Sequence, residues 1–261
     1  MTDILKSLSD YARTRCSAAK EKTSFDEIKS RALEMPRGDF SFARAIQRDG
    51  MSFICECKKA SPSKGLIADY FPYLDIAKDY EKAGADAISV LTEPKWFLGS
   101  EEYLREIASN VKTPCLRKDF TVDPYMIYEA KTLGAQAVLL ICAILSEREI
   151  HDYLGICEDL GISALVEAHD ETEIQTAISS GARIIGVNNR NLRDFSVDIS
   201  NSKRLRDLVP PDILFVTESG ITSPEDVAEA KSIGADAVLV GETLMRAGDK
   251  KTKLSELKSL I

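Results

Sequence analysis

Short apolar runs that end abruptly on an ionisable or amide residue limit the fold of this sequence most strongly. Four such runs end on Lys58, Lys118, Glu167 and Asn188. A polar group at the end of an apolar strand costs free energy unless it has a partner or a task. Four strand ends of this kind indicate that the ends meet at one site.

Apolar runs alternate with amphipathic helical stretches from Ser52 onward. The predicted strands cover residues 52–57, 87–91, 115–118, 137–141, 164–167, 184–187, 213–217 and 237–240. Several of the helices between them have a start signal, a side chain that can accept a backbone hydrogen bond at the N-cap. These predicted N-cap residues are Asp123, Ser146, Asp170 and Ser223.

A weak internal repeat precedes four of the predicted strands. Its members are Gly84-Ala85, Gly134-Ala135, Gly181-Ala182 and Gly234-Ala235. A glycine at this position is typical of a helix end that turns directly into the next strand. The strands are continuously apolar, which suits parallel strands covered by helices on both faces.

Eight strand–helix units predict an α/β protein with a closed (β/α)8 TIM barrel of about 250 residues. The alternative is an open doubly wound sheet, which usually has a G-x-G-x-x-G turn after its first strand. The corresponding segment here is Ser61-Pro62-Ser63-Lys64-Gly65, so the barrel is favoured. Residues 1–48 have helical patterns without a strand. We therefore expect one domain over residues 1–261, with a helical extension over residues 1–48.

Composition and charge limit the partners of the chain. Hydrophobic residues make up 44% and the net charge is −8, with acidic and basic residues interspersed. This balance argues against nucleic acid and anionic membrane surfaces as partners. No apolar stretch is long enough for a membrane span, and the N-terminus lacks a secretory signal pattern. We expect a cytoplasmic monomer that binds a small molecule.

Cysteine and histidine usage limits the chemistry further. The six cysteines are Cys16, Cys55, Cys57, Cys115, Cys142 and Cys157. None belongs to a CxxC pair, and we expect buried thiols in a reducing compartment. The only histidines are His151 and His169, which excludes a histidine-rich metal site and disfavours a Ser-His-Asp triad. We expect neither a metal nor a cofactor.

The carboxyl ends of the strands form the active face of such a barrel. Candidate residues at this mouth are Glu56, Lys58, Lys118, Glu167, Asn188, Arg190, Glu218, Ser219, Gly220, Gly241 and Glu242. One charge alone would suit a solvated rim, but two lysines and two glutamates together indicate acid–base chemistry. Neighbouring charges and partial burial separate the pKa values of such groups.

The loops after the seventh and eighth strands are the usual phosphate site of this fold. Gly220 and Gly241 would let the backbone approach an anion, although tight turns alone would also explain them. We expect Glu242 to offer its backbone N–H while its carboxylate points away. The basic loop over residues 58–65 is either a lid over the anion or a mobile surface loop. Trp96-Phe97 either flanks an aromatic substrate or caps the rim.

Motifs along nearly the whole chain resemble the indole-3-glycerol-phosphate synthase family. The most specific one is the first-strand motif over residues 56–65. Further matches are Ser89–Pro94, Leu116–Phe120, Leu165–Glu167, Gly186–Leu192, Thr217–Ile221 and Val240–Glu242. The last two of these occur more widely among phosphate-binding barrels. The helical N-terminal extension is also typical of the family.

The resemblance implies a carbon-carbon lyase of tryptophan biosynthesis that needs no cofactor. Its substrate would be 1-(2-carboxyphenylamino)-1-deoxyribulose 5-phosphate, which closes to an indole with loss of carbon dioxide and water. The resemblance implies that Lys118 is the general acid and Glu167 the general base. Lys58 would hold the substrate carboxylate and share acid duty. Glu56 would orient the lysines and the anilino nitrogen.

The same resemblance implies the remaining substrate contacts. Asn188 and Ser219 would bind hydroxyls, with Arg190 supporting Asn188 and Glu56. Phosphate would be held by Ser61, Gly220, Gly241 and Glu242. The ring would lie near Phe97 and Phe120, and Glu218 and Leu239 complete the set. A lysine acid near neutral pH needs a lowered pKa, and we expect Lys58 and Lys118 to lower each other's pKa.

Two other functions fit parts of the pattern. A Schiff-base aldolase of the same fold would use Lys118 or Lys58 as a nucleophile. No sequence signature specific to that chemistry is present. A non-catalytic phosphate-binding barrel would usually have lost the paired charges, and all of them are present here.

Overall fold

Eight parallel strands close into a barrel in the computed structural model, which describes residues 4–191 and 195–261. Residues 1–3 of the expected extension and Leu192 of the sixth-strand motif lie outside these ranges. The strands are β1 (Ser52–Cys57), β2 (Ala60–Ser61), β3 (Gly65–Leu66), β4 (Ala87–Leu91), β5 (Cys115–Lys118), β6 (Ala137–Ile141), β7 (Ser163–Ala168), β8 (Ile184–Asn188), β9 (Leu214–Glu218) and β10 (Ala237–Val240). β2 and β3 form a small antiparallel hairpin outside the barrel.

Each barrel strand pairs with the next one along the chain, and β10 pairs with β1 to close the ring. The closing register sets Ser52 opposite Ala237 and Cys55 opposite Val240. The predicted (β/α)8 barrel is therefore confirmed. Because all eight strands run the same way, their carboxyl ends form one mouth.

Helices cover the outside of the barrel. They are α1 (Ile4–Lys22), α2 (Phe25–Glu34), α3 (Ser41–Ile46), α4 (Tyr73–Ala83), α5 (Glu101–Asn110), α6 (Pro124–Thr132), α7 (Glu147–Leu160), α8 (Glu171–Ser179), α9 (Ser200–Arg206), α10 (Pro224–Ser232), α11 (Glu242–Arg246) and α12 (Lys250–Leu257). The four predicted N-caps are confirmed, because each of those side chains accepts a backbone hydrogen bond from the first turn. The repeat glycines Gly84, Gly134, Gly181 and Gly234 all have positive φ, as a helix-ending turn requires.

Three strands differ from the bounds predicted from sequence, and the new C-terminal residues of β8 and β9 are polar. β7 runs from Ser163 to Ala168 and β8 includes Asn188. β9 was predicted one residue early and ends at Glu218, which pairs with Asn188. A polar residue marks a boundary in the apolar pattern, but the backbone hydrogen bonds of the ladder continue through it. The candidate site residues Glu167, Asn188 and Glu218 therefore belong to the strands themselves and not to the loops after them.

The N-terminal helices span the barrel from its mouth to its opposite end. Ile4 and Leu8 of α1 line the pocket at the mouth. Phe25 at the start of α2 packs edge-on against Tyr128 of α6, with ring centroids 5.7 Å apart. The backbone N–H of Ala43 in α3 donates to the side chain of Ser163, where β7 begins. The expected helical extension is present over its described residues.

All six cysteines are buried and free, as predicted from the sequence. None of the helices in the two described ranges combines the length and the apolarity of a membrane span.

Candidate active site

The mouth of the barrel contains a pocket of about 690 Å³. Its lining includes every site residue predicted from the sequence: Glu56, Lys58, Ser61, Phe97, Lys118, Phe120, Glu167, Asn188, Arg190, Glu218, Ser219, Gly220, Leu239, Gly241 and Glu242. In the sequence these residues are spread from Glu56 to Glu242. All of them nevertheless line one pocket, while their individual roles stay predictions.

The register of the barrel explains why the ionisable groups meet. Lys118 ends β5 opposite Leu91, and Glu167 pairs with Ile141 near the end of β7. Glu218 ends β9 opposite Leu239 of β10. An apolar residue lies next to each of these polar residues, and the side chains of Lys118, Glu167 and Glu218 are largely buried.

Lys118 is the centre of the charge cluster. Its Nζ lies 3.3 Å from Glu167 Oε2 and 3.7 Å from Glu218 Oε2. Burial lowers the pKa of Lys118, but the charges of Glu167, Glu218 and Glu56 outweigh burial and raise it above its ordinary value. The expectation that Lys58 and Lys118 lower each other's pKa is therefore wrong for Lys118. Three carboxylates lie close enough to dominate the repulsion from a second lysine.

Glu167 is an ionised carboxylate in this cluster. It is 2% exposed. Burial raises the pKa of Glu167, but the positive charges of Lys118 and His169 and a hydrogen bond from Asn188 bring it below its ordinary value. A buried carboxylate with its charge retained can accept a proton at neutral pH, as a general base must.

Glu56 and Lys58 form a second ion pair across the mouth, with 2.6 Å between Nζ and Oε1. Ser89 donates a hydrogen bond to the other Glu56 oxygen at 3.3 Å. Burial opposes ionisation, but the charges of Lys58 and Lys118 keep the pKa of Glu56 below its usual range. A side chain at Gly241 would collide with this pair, because its Cβ would lie 2.5 Å from Glu56 Oε1. Glycine at this position therefore leaves room for the ion pair.

Glu218 differs from the other two glutamates because it is protonated at neutral pH. Burial and the nearby charge of Glu167 raise the pKa of Glu218 to about 8. Its Oε1 is buried without a hydrogen-bond partner and lies over Gly186. A neutral carboxyl group can donate a hydrogen bond, which an ionised one cannot.

The loops after β9 and β10 form the other end of the pocket. Ser219 and Gly220 both have positive φ, at 66° and 91°. Thr243 Oγ1 donates to the carbonyl of Ile221 and joins the two loops. The carboxylate of Glu242 accepts from Arg246 Nε at 3.0 Å along α11. The Glu242 carboxylate is thus paired with Arg246. The backbone N–H groups of this loop are the groups that could bind an anion.

The aromatic part of the lining is held by a buried carboxylate that the sequence reading missed. Glu93 accepts backbone hydrogen bonds from Lys95, Trp96 and Phe97 and thereby fixes their loop. Phe97 lies over the pocket, with its ring centroid 6.1 Å from that of Phe120. Trp96 instead packs edge-on against Tyr11 of α1 at 5.5 Å. Phe97 therefore lines the pocket, whereas Trp96 packs against α1 outside it.

The expected support from Arg190 is found only in part. Its backbone N–H donates to Asn188 Oδ1 at 3.0 Å, which orients that amide. Its guanidinium donates to the carbonyl of Phe195. Among the described residues no ion pair joins Arg190 to Glu56, so the expected support of Glu56 by Arg190 stays a prediction. Glu56 already has Lys58 as its close cationic partner.

Two residues beside the cluster were not predicted from the sequence. His169 lies 3.4 Å from Glu167 Oε1, and Gly186 leaves the space that the Glu218 carboxyl group fills. His169 stands two positions after Glu167, so the alternation of side chains along a strand was a usable signal. Gly186 had no such signal, because β8 and β9 become neighbours only in the barrel. In the described ranges no group of three or more histidine, cysteine, aspartate or glutamate side chains is placed to hold a metal ion.

A closed parallel barrel with buried acid–base groups at its mouth defines a (β/α)8-barrel enzyme. The 3-hexulose-6-phosphate synthase of Salmonella typhimurium has the same fold, with a TM-score of 0.65 at 14% identity over 80% of this chain and 98% of that chain. The family model for indole-3-glycerol phosphate synthase matches residues 5–257. The chain therefore belongs to the indole-3-glycerol phosphate synthase family.

Relatives agree with the family model over nearly the full length. The indole-3-glycerol phosphate synthase of Ruminiclostridium cellulolyticum is 54% identical over 98% of both chains. The enzyme of the same name from Endomicrobium trichonymphae is 53% identical over 98% of this chain and 99% of its own.

Proposed function

We propose that this protein forms indole-3-glycerol phosphate from 1-(2-carboxyphenylamino)-1-deoxyribulose 5-phosphate, as a decarboxylating carbon-carbon lyase of tryptophan biosynthesis. The observation that carries the proposal is the contact between the Lys118 ammonium and the Glu167 carboxylate, 3.3 Å apart in the pocket of a family member. A proton donor and a proton acceptor at this distance can both reach one reacting centre.

The reaction begins with attack of the ring carbon that bears the carboxylate on the ketone of the sugar chain. The Lys118 ammonium donates a proton to the developing alkoxide. Loss of carbon dioxide restores the aromatic ring. The new hydroxyl then takes a proton from Lys58, which shares the acid role, and leaves as water. Glu167 removes a C–H proton, and the electrons of that bond form the double bond that completes the pyrrole ring.

The raised pKa of Lys118 is compatible with this acid role. The charge of Glu167 contributes strongly to that raised value. When Lys118 gives up its proton in the first step, Glu167 loses a positive neighbour and becomes a stronger base for the last step. Proton uptake by the base and proton release by the acid are thus coupled, as expected for two titrating groups in contact.

The other predicted residues bind and orient the substrate in this proposal. Lys58 holds the substrate carboxylate, and Glu56 orients the lysines and the anilino nitrogen. The sugar hydroxyls bind Asn188 and Ser219, and Phe97 and Phe120 contact the ring, with Glu218 and Leu239 beside it. Phosphate binds to Ser61, Gly220, Gly241 and Glu242 at the loops after β9 and β10. Lys64 adds a positive charge beside this phosphate site, because its Nζ lies 3.8 Å from Glu242 Oε1.

We also infer one domain that acts as a cytoplasmic monomer, without a metal, a cofactor or a nucleic-acid or membrane partner. All the pocket residues named above come from a single chain, so the site needs no second copy. The acidic net charge supports the absence of polyanionic partners.

Product formation tests the proposal directly. Purified protein is incubated with the carboxyphenylamino sugar phosphate, and indole fluorescence is followed. We expect Lys118→Ala and Glu167→Gln each to lower kcat by about 100-fold or more, since each removes one partner of the proton transfer.

The control for these variants is Lys251→Ala, which removes an exposed lysine from α12. It should retain wild-type turnover. Folded wild-type protein that forms no indole product contradicts the assigned activity. Near-normal turnover by either site variant contradicts its assigned role. Borohydride trapping of a lysine adduct would favour the Schiff-base alternative instead.

A further inference from the structure

A histidine lies against the Glu167 carboxylate on the side away from Lys118. His169 directly follows β7, and its Nε2 lies 3.4 Å from Glu167 Oε1. Lys118 Nζ lies 3.3 Å from the other oxygen, Oε2. Each oxygen of the carboxylate therefore faces a different nitrogen. His169 Nε2 is buried and makes no hydrogen bond, so Glu167 is the group that can pair with it.

Glu173 fixes the orientation of the imidazole ring. Its Oε2 lies 3.0 Å from His169 Nδ1 and also accepts the backbone N–H of His169 at 2.8 Å. An ionised carboxylate can only accept, so the ring proton resides on Nδ1. A second proton, on Nε2, makes the ring a cation and faces Glu167 Oε1 at 3.4 Å. Burial disfavours the charged ring, but Glu173 and Glu167 together raise the pKa of His169.

We propose that His169 is a positioning residue for the general base, holding the Glu167 carboxylate in place and keeping it ionised while Glu173 fixes the ring. This inference rests on the function proposed above, in which Glu167 removes a proton. Lys118 releases its proton during the reaction and then offers Glu167 no positive charge. A proton retained on His169 gives Glu167 a cationic partner at that stage, on the oxygen that Lys118 does not face.

The other titratable groups around this ring do not supply the same charge. Glu218 from β9 raises the pKa of His169 further, and Cys142 follows β6 near the same carboxylates. Burial and the charges of Glu173 and Glu167 raise the pKa of Cys142 to about 12, so it remains a neutral thiol. Lys118 from β5 faces the opposite oxygen of Glu167. His169 is the cation on the outer side of the base.

A pH profile separates this role from a merely structural one. In His169→Gln, the acid limb of kcat/KM should move to higher pH by about one unit or more, since a cation within ~4–6 Å lowers a carboxyl pKa by 1–3 units. On the acidic side kcat should fall several-fold, while KM stays near the wild-type value. Glu173→Gln keeps an acceptor but loses the charge, so it should move the limb in the same direction by less.

The matched control is His151→Gln. His151 lies on α7, and its ring contacts the backbone carbonyl of Ser180 outside the pocket lining. The same chemical change there should leave the pH profile in place. An unmoved acid limb in folded His169→Gln overturns the proposal.

A second measurement needs no turnover. Because His151 and His169 are the only histidines, the imidazole region of a ¹H–¹³C spectrum contains two titrating signals, which His151→Gln assigns. In Glu167→Gln the pKa of His169 should fall by about one unit or more, because a facing negative charge is removed. An unchanged pKa of His169 in that variant overturns the inference. Failure of the wild-type protein to form indole would overturn the proposed function and leave this coupling measurable.

Discussion

Three glutamates at the mouth of the barrel have pKa values shifted in different directions, although each lies at or next to the end of a strand and is almost fully buried. Glu56 has Lys58 at 2.6 Å and Glu167 has Lys118 at 3.3 Å, so both remain ionised. Burial and the nearby charge of Glu167 outweigh the charge of Lys118, 3.7 Å away, so the pKa of Glu218 rises to about 8. Burial favours the protonated form of all three groups, and the balance of the charges around each one sets the direction of its pKa shift.

A test at the residue scale is Gly186→Ala. The new Cβ would lie 2.2 Å from Glu218 Oε1 and 3.1 Å from Leu165 Cδ1, both ends of flexible side chains. The fold should accommodate the change, at a cost of about 1–3 kcal/mol typical of overpacking. The Glu218 carboxyl group must move away from residue 186, which changes its position relative to Lys118, and we expect kcat to fall about 10-fold or more. Steady-state kinetics and urea unfolding check the two effects.

The control for this substitution is Gly155→Ala on α7. A Cβ at Gly155 meets open space, and alanine favours a helix, so this variant should be fully active and slightly more stable. If Gly186→Ala turns over like the wild type, the exact position of Glu218 does not matter for the reaction.

At the scale of elements, helix α1 is held to the strand that carries Lys118. Arg15 of α1 donates to both carboxylate oxygens of Asp119, the residue after Lys118, at 2.6 Å and 3.2 Å. Asp119 also accepts from Thr92 Oγ1 at 2.6 Å. Burial opposes ionisation, but the charges of Arg15 and Arg117 keep the pKa of Asp119 low. The extension is therefore tied to the site by a buried ion pair.

Arg15→Met tests this connection. The substitution leaves the buried Asp119 carboxylate without its closest cation, which should lower the free energy of unfolding by about 3 kcal/mol. KM should rise as well, because α1 contributes Leu8 to the pocket lining. Urea unfolding and steady-state kinetics measure both quantities.

The matched control is Arg31→Met, which breaks an exposed pair with Glu27 on α2. Exposed pairs of this kind contribute at most about 1 kcal/mol, so stability and KM should change little. Equal losses in both variants would mean that the Arg15–Asp119 pair has no special role.

For the whole molecule, closure of the barrel brings carboxyl groups from β1, β7 and β9 together, and this makes stability depend on pH. The folded state holds a proton on Glu218 up to about pH 8. The unfolded chain releases that proton near pH ~4.3. The stability associated with this proton is fully present below the unfolded pKa and is lost as the pH rises through the folded value.

Glu218→Gln should remove this loss. Compared with the wild type, the variant should gain free energy of unfolding as the pH rises from about 5 to about 8, by about 1 kcal/mol or more at the upper end. Urea unfolding at a series of pH values measures the difference. Glu229→Gln, an exposed change on α10, is the control and should follow the wild-type curve. A constant difference between Glu218→Gln and wild type would mean that Glu218 titrates like a solvated carboxyl group.

The order of apolar runs, N-caps and helix-ending glycines determined the barrel, because these signals depend on a few neighbouring residues. The polar strand ends likewise predicted that Lys118, Glu167 and the other charged residues meet at the mouth, since parallel strands in a closed barrel must end together. Phe120 and Leu239 were expected from the family resemblance. Only the tertiary structure decided that Lys118 has a raised pKa, that Glu218 is neutral and that His169 faces Glu167. Those properties depend on distances of a few ångströms between side chains of different elements, which register and packing set and local sequence does not encode.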